Sequence, residues 1–170
     1  MKTVTTTVYE FQELSEEAQE NAIENFLSTN INHEWWEFIY ADALCIGVKI
    51  KAFDLDRSSY VDAELVGTGK DTAEAIIKNH GEKCSTYENA KKYLADLSRL
   101  DKKYPLEYDD YEYENELKEL DKNFLHELCD DYQTALQKEY DYLTSEEQII
   151  ESIKLNSYHF TIDGKVFTLK

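Results

Sequence analysis

Seven apolar side chains, Leu117, Leu120, Phe124, Leu128, Tyr132, Leu136 and Tyr140, recur at steps of three and four along one stretch of the chain. That spacing places all seven on one side of an α-helix running from about Glu112 to Tyr142. A strand cannot use the pattern, because its faces alternate at every second residue. Such a helix would be roughly 42 Å long over about 28 residues. It is also densely acidic on its other sides, and this combination dominates the reading of the chain.

Shorter elements follow from the same logic. Thr3–Phe11 alternates Val4, Thr6 and Val8 against Thr5, Thr7 and Tyr9, which reads as a first strand. Ser15 is placed to cap a helix with Ala18, Ala22, Ile23, Phe26 and Leu27 on its apolar face, and Glu16 and Glu17 suit its N-terminus. A second helix is expected from His33 to Cys45, with Trp35, Trp36, Ile39, Tyr40 and Ala43 inward and Gly47 beyond its end. Val48–Leu55 and Tyr60–Val66 flank Asp56–Ser59 as a hairpin. Capping boxes at Asp71/Glu74, Ser85/Glu88 and Thr144/Glu147 open three further helices. Asp163-Gly164 between Tyr158–Ile162 and Lys165–Leu169 is a strong hairpin signal. The expectation is a single α+β domain over residues 1–170, with a mostly antiparallel sheet of about five strands and about six helices.

The formal net charge is -18, and two segments hold all of it. Residues 3–48 contain nine acids and no Lys or Arg, giving -9. Residues 105–141 contain thirteen acids against Lys118, Lys122 and Lys138, giving -10. Elsewhere fifteen basic residues face fourteen acids. High net charge often marks disorder, but a 13% aromatic content and a single Pro argue for a folded chain.

Clustered carboxylates repel one another and destabilise a compact state, and solubility needs a charge magnitude of only about 2–8 in a small domain. The surplus points to a basic protein partner, and it repels nucleic acid and anionic membrane. Duplex DNA carries one charge per about 1.7 Å of axis, so 18 charges match roughly nine base pairs. The expected partner surface has two parts. One is Asp109, Asp110, Glu112, Glu114, Glu116 and Glu119, interleaved with Tyr108, Tyr111 and Tyr113, whose rings suit packing on Arg. The other is Glu13, Glu16, Glu17, Glu20 and Glu24. Trp35 and Trp36 are neighbours about 100° apart on a helix, so they form either a core-and-boundary pair or an exposed aromatic anchor.

Catalytic patterns fail on inspection. Gly67-Thr68-Gly69-Lys70 lacks the first Gly of a phosphate loop, since Glu64 stands there, and Asp71 replaces its Ser or Thr. His33-Glu34-Trp35-Trp36-Glu37 lacks the second His of a zinc-protease helix. Asp54-Leu55-Asp56 lacks the Gly and bidentate Glu of a calcium loop, which are Ser59 and Leu65 here. His80, Cys84, His126 and Cys129 offer two pairs of zinc-ligand types, but at helical positions where ordinary packing is the simpler account. A non-enzyme with no metal and no cofactor is expected. Three cysteines, no apolar leader and no membrane-length apolar run point to the cytoplasm.

Tyr9–Glu24 (YEFQELSEEAQENAIE), Phe53–Val66 (FDLDRSSYVDAELV), Ala75–Leu94 (AIIKNHGEKCSTYENAKKYL) and Leu136–Lys165 (LQKEYDYLTSEEQIIESIKLNSYHFTIDGK) resemble a group of small acidic accessory proteins of tailed phages and prophages. The resemblance carries no catalytic motif. It implies a phage context, in which compact acidic proteins resemble anti-CRISPR and DNA-mimicking antirestriction inhibitors of host defence. The contrasting expectation is a phage structural or adaptor protein whose acidic face serves only solubility.

Overall fold

The computed structural model describes residues 6–104 and 111–168. Along the chain lie β1 (Tyr9–Glu10), a short 3-10 turn at Phe11–Glu13, α1 (Glu16–Phe26), α2 (Glu37–Cys45), β2 (Val48–Asp54) and β3 (Tyr60–Leu65). They are followed by α3 (Gly69–Asn79), α4 (Ser85–Lys103), α5 (Tyr111–Leu143), α6 (Glu146–Leu155) and β4 (His159–Phe160). The described residues form two compact units, one drawn from 1–35 and 138–170 and the other from 36–137.

The architecture is α+β with six helices among the described residues, but the five-stranded sheet is not formed. Four strands make two separate antiparallel pairs, β1 with β4 and β2 with β3. The reason is local at the first strand. Glu10 and Glu13 cap each other's backbone N–H groups and turn the chain into the 3-10 segment after only two strand residues. The last hairpin is equally short. Its turn closes through Thr161 N–H to Lys165 O and Gly164 N–H to Thr161 O, and Phe160 opposite Val166 is a lone bridge. The part of the first expected strand at residues 3–5 lies outside the described residues.

In the unit of 1–35 and 138–170, Ser15 accepts a hydrogen bond from the Ala18 N–H and so opens α1, as its sequence position predicts. The buried side of α1, Ala18, Ala22 and Phe26, packs with Phe11, Leu14, Ile149, Ile153 and Phe160. Phe26 meets Tyr158 edge-on at 4.7 Å, and Phe11 meets Phe160 at 6.2 Å. Ser145, not Thr144, caps α6, accepting from the Gln148 N–H. Asn30 joins α5 and α6 by donating to Leu143 O and accepting from the Ser152 hydroxyl.

In the unit of 36–137 the β2–β3 hairpin runs from Val48 opposite Leu65 to Asp54 opposite Tyr60, with a register shift between Ile50 and Ala52. Helix α2 packs on β2, and α3 on α4. The α5 stripe falls as its periodicity requires. Phe124, Leu128, Tyr132 and Leu136 are buried, and Leu117 and Leu120 are half-buried. Three helix starts in this unit lie one to four residues from their expected positions. Thr68 caps α3 by accepting from the Asp71 N–H, and Cys84 precedes α4 without a side-chain cap. Helix α2 begins at Glu37 instead of His33.

Candidate partner-binding surface

The two expected acidic surfaces fall in different units and differ in chemistry. Glu16, Glu17, Glu20 and Glu24 are all exposed on α1, and Glu13 is exposed just ahead of it. None of these five makes an ion pair with a described residue. With no Lys or Arg between residues 3 and 48, none of them has a cation three or four residues away to pair with along the helix. The first-turn position of Glu16 and Glu17 gives them the helix N-terminus as a favourable dipole.

The second surface is partly neutralised. Glu116 accepts from the Lys103 ammonium at 2.6 Å and from the Tyr104 hydroxyl at 2.9 Å. Lys103 first, then Tyr104, hold the Glu116 carboxyl below the usual carboxylate range. Glu119 pairs with Lys122 at 3.2 Å and Glu114 with Lys118 at 3.9 Å. Further along α5, Lys92 of α4 pairs with Glu127. Glu112 is exposed. Tyr113 is half-buried, donates to Asp101 at 3.0 Å and packs edge-on against Tyr104 at 5.8 Å. Tyr111 alone of the two described tyrosines is free in the sense of exposure, at 78%. Tyr108, Asp109 and Asp110 lie outside the described residues.

Counting by unit sharpens the contrast. The described residues of 1–35 and 138–170 hold thirteen acids against Lys138, Lys154 and Lys165, a net -10. Those of 36–137 hold twenty acids against thirteen basic residues, a net -7 over a longer stretch. The denser field therefore belongs to the α1 unit.

The zinc-type residues do other things. His80 Nδ1 is 2.7 Å from the Thr86 hydroxyl, and Cys84 is an exposed free thiol. His126 is exposed and 3.5 Å from Asp130, and Cys129 is half-buried, with burial pushing its thiol up. No metal-ligating group of three or more His, Cys, Asp or Glu exists among the described residues. Trp35 is buried against Tyr140 at 6.0 Å, while Trp36 is half-buried against Phe53 at 5.6 Å. The tryptophans are thus a core-and-boundary pair.

Two features were not anticipated from sequence. One is a polar chain tying three helices to the end of α3. Tyr132 donates to Asp42 Oδ2 at 3.0 Å, His80 Nε2 lies 3.6 Å from Asp42 Oδ1, and His80 meets Thr86. The other is the exposure of Phe38 and Leu44 on α2, although seven of the nine residues of that helix are apolar. No helix among the described residues is long and apolar enough to cross a membrane. Comparison with protein-family models, with curated proteins and with solved structures finds no match to this chain.

Proposed function

We propose that the chain is a non-catalytic inhibitor that presents carboxylates in place of nucleic-acid phosphates to the basic groove of a host defence nuclease complex. The observation that carries this reading is the α1 surface, where Glu16, Glu17, Glu20 and Glu24 are exposed and have no cation partner among the described residues. Four charges over eight residues of helix rise about 12 Å, or one charge per roughly 3–4 Å. A single DNA strand presents one phosphate per about 3.4 Å of axis. The likeness to phage accessory proteins directs the proposal to host defence, with CRISPR effectors ahead of restriction enzymes.

In this mechanism the carboxylates face Lys and Arg of the groove, displace their counterions and exclude DNA or guide RNA. The host cytoplasm is the compartment in which such a target is met. The lysine-paired acids of α5 favour a second reading for that helix, a solvated face serving solubility.

The test is a cleavage assay with a purified effector and duplex DNA. Glu16 and Glu17 support the helix start, so the variant combines Glu16→Gln and Glu17→Gln with Glu20→Lys and Glu24→Lys. Loss of inhibition with unchanged circular dichroism is the expected result. Inhibition by the unaltered protein should fade as salt rises, because its attraction is between screened surface charges. Inhibition that persists undiminished in high salt, or survives the α1 variant, rules out charge mimicry by this face.

A further inference from the structure

Helix α2 is apolar on two opposite sides. At 100° per residue, Ile39 and Ala43 define one side, and Phe38, Ala41 and Cys45 with Leu44 beside them define the other. The first side is occupied: Ile39 and Ala43 are buried, and the helix packs on β2. The second is not. Phe38 and Leu44 are each 57% exposed, and Ala41 and Cys45 are exposed with them. A helix apolar all round is normally buried all round, and its outer stripe here has the spacing of a helix-in-groove contact.

The surrounding charge says what fits. Glu37 is exposed in the first turn of α2, and no Lys or Arg occurs within that helix. Asp42 is engaged with Tyr132 and His80, so Glu37 is the carboxylate of this helix turned to a partner. A second copy would bring the same acid against it, within a chain of net charge -18. A basic segment would instead be attracted.

We infer that the outer face of α2 docks an amphipathic basic segment of a partner protein, with aliphatic or aromatic side chains seated on Phe38, Ala41, Leu44 and Cys45 and Lys or Arg set against Glu37. It rests on the reading above only in taking the partner to be basic. Docking here supplies apolar contact that salt does not screen, which the α1 carboxylates cannot supply.

Cys45 reports the event, because it is a free thiol within the stripe. The probe is a helical peptide of leucine and lysine with leucines at helical spacing. Controls are the same peptide with every leucine changed to serine, and one with every lysine changed to glutamate. Alkylation is followed by peptide mapping, so that Cys45, Cys84 and Cys129 are scored separately. In the free protein Cys45 should react readily, and the leucine–lysine peptide should slow it by about tenfold at saturation. Phe38→Asp should abolish that protection, and Leu155→Asp, at an exposed site on α6, should leave it intact. Slow alkylation in the free protein, equal protection by the serine or glutamate peptide, or equal loss with Leu155→Asp overturns the inference. So does a concentration-dependent dimer that Phe38→Asp dissolves. No nuclease takes part, so this result and the α1 variant can fail separately.

Discussion

The Tyr93 hydroxyl donates to Asp121 Oδ1 at 2.6 Å, joining α4 to α5 directly over Gly69, the first residue of α3. A Cβ at Gly69 would lie 2.3 Å from that Asp121 oxygen and 2.5 Å from the Tyr93 hydroxyl. Tyr93 cannot swing aside freely, since its ring is buried and stacked on Phe124 at 4.4 Å. Glycine is required here for space.

Gly69→Ala should therefore destabilise the fold by about 1–3 kcal/mol from overpacking, against the gain of up to ~1 kcal/mol that alanine normally brings to a helix. Tyr93→Phe should cost about 1.5–3 kcal/mol through the lost bond to a charged acceptor. In the double variant the two losses should be less than additive, because both act on one contact. Urea unfolding of the four proteins measures this. Additive losses would mean that Gly69 and the Tyr93–Asp121 bond are independent.

Alkaline pH should unfold the chain through two tyrosines. Burial first, then the Asp42 carboxylate, pushes the Tyr132 phenol up. Burial and then the hydrogen bond to Asp121 do the same for Tyr93. Their folded values lie above the ordinary 10.0, so their contribution is fully present below about pH 10 and is lost as pH rises beyond it. Stability should fall progressively as pH rises above about 10, and Tyr132→Phe should flatten that fall. Tyrosine ultraviolet absorbance followed beside circular dichroism checks it, and ionisation of all thirteen phenols at ordinary pH without unfolding would contradict it.

The turn after β4 is held by geometry and charge together. Gly164 has φ 80, and a Cβ there would lie 2.1 Å from the Ala18 carbonyl oxygen of α1. Gly164→Ala should cost about 2–4 kcal/mol, combining left-handed strain with a backbone clash. Beside it, the Lys165 ammonium and then the Thr161 hydroxyl hold Asp163 down to about 2. The Asp163 contribution is present above its ordinary 3.8 and is lost as pH falls toward the folded value. Carboxyl titration by NMR should place Asp163 near that folded value, and Lys165→Met should return it toward the ordinary one.

The α1 carboxylates should cost stability. Glu16, Glu20 and Glu24 stand at i, i+4 and i+8, making two like-charge neighbours, each unfavourable by about 0.2–0.5 kcal/mol. Glu20→Lys turns both into attractions and should stabilise the protein by roughly 1 kcal/mol at low salt. The gain should shrink as salt rises. Thermal melts across a salt series decide it, and a gain independent of salt would point to a cause other than charge.

Much of the local structure was legible in the residues. Ser15 and the Ala18, Ala22, Phe26 stripe specify α1, and the Leu117–Tyr140 spacing specifies α5, because capping and amphipathic period act within a few residues. The β2–β3 hairpin was legible for the same reason. Strand count was not. Alternation at Thr3–Phe11 shows that a segment is able to be a strand, whereas its pairing partner is chosen by distant chain. Thr68 was passed over as the cap of α3 because Asp71 and Glu74 imitate a capping box one turn later.

The charge of -18 and its confinement to two segments are properties of the sequence alone. Tertiary structure decided which of those charges stand unpaired. Lys103 is thirteen residues from Glu116 along the chain, yet 2.6 Å from it across α4 and α5. No cation reaches Glu20 or Glu24 among the described residues. It also decided that Phe38 and Leu44 face outward while Ile39 and Ala43 face β2. Composition fixes how much charge and apolar surface a chain carries. Only packing, which brings distant residues within a few ångströms, determines what remains for a partner to meet.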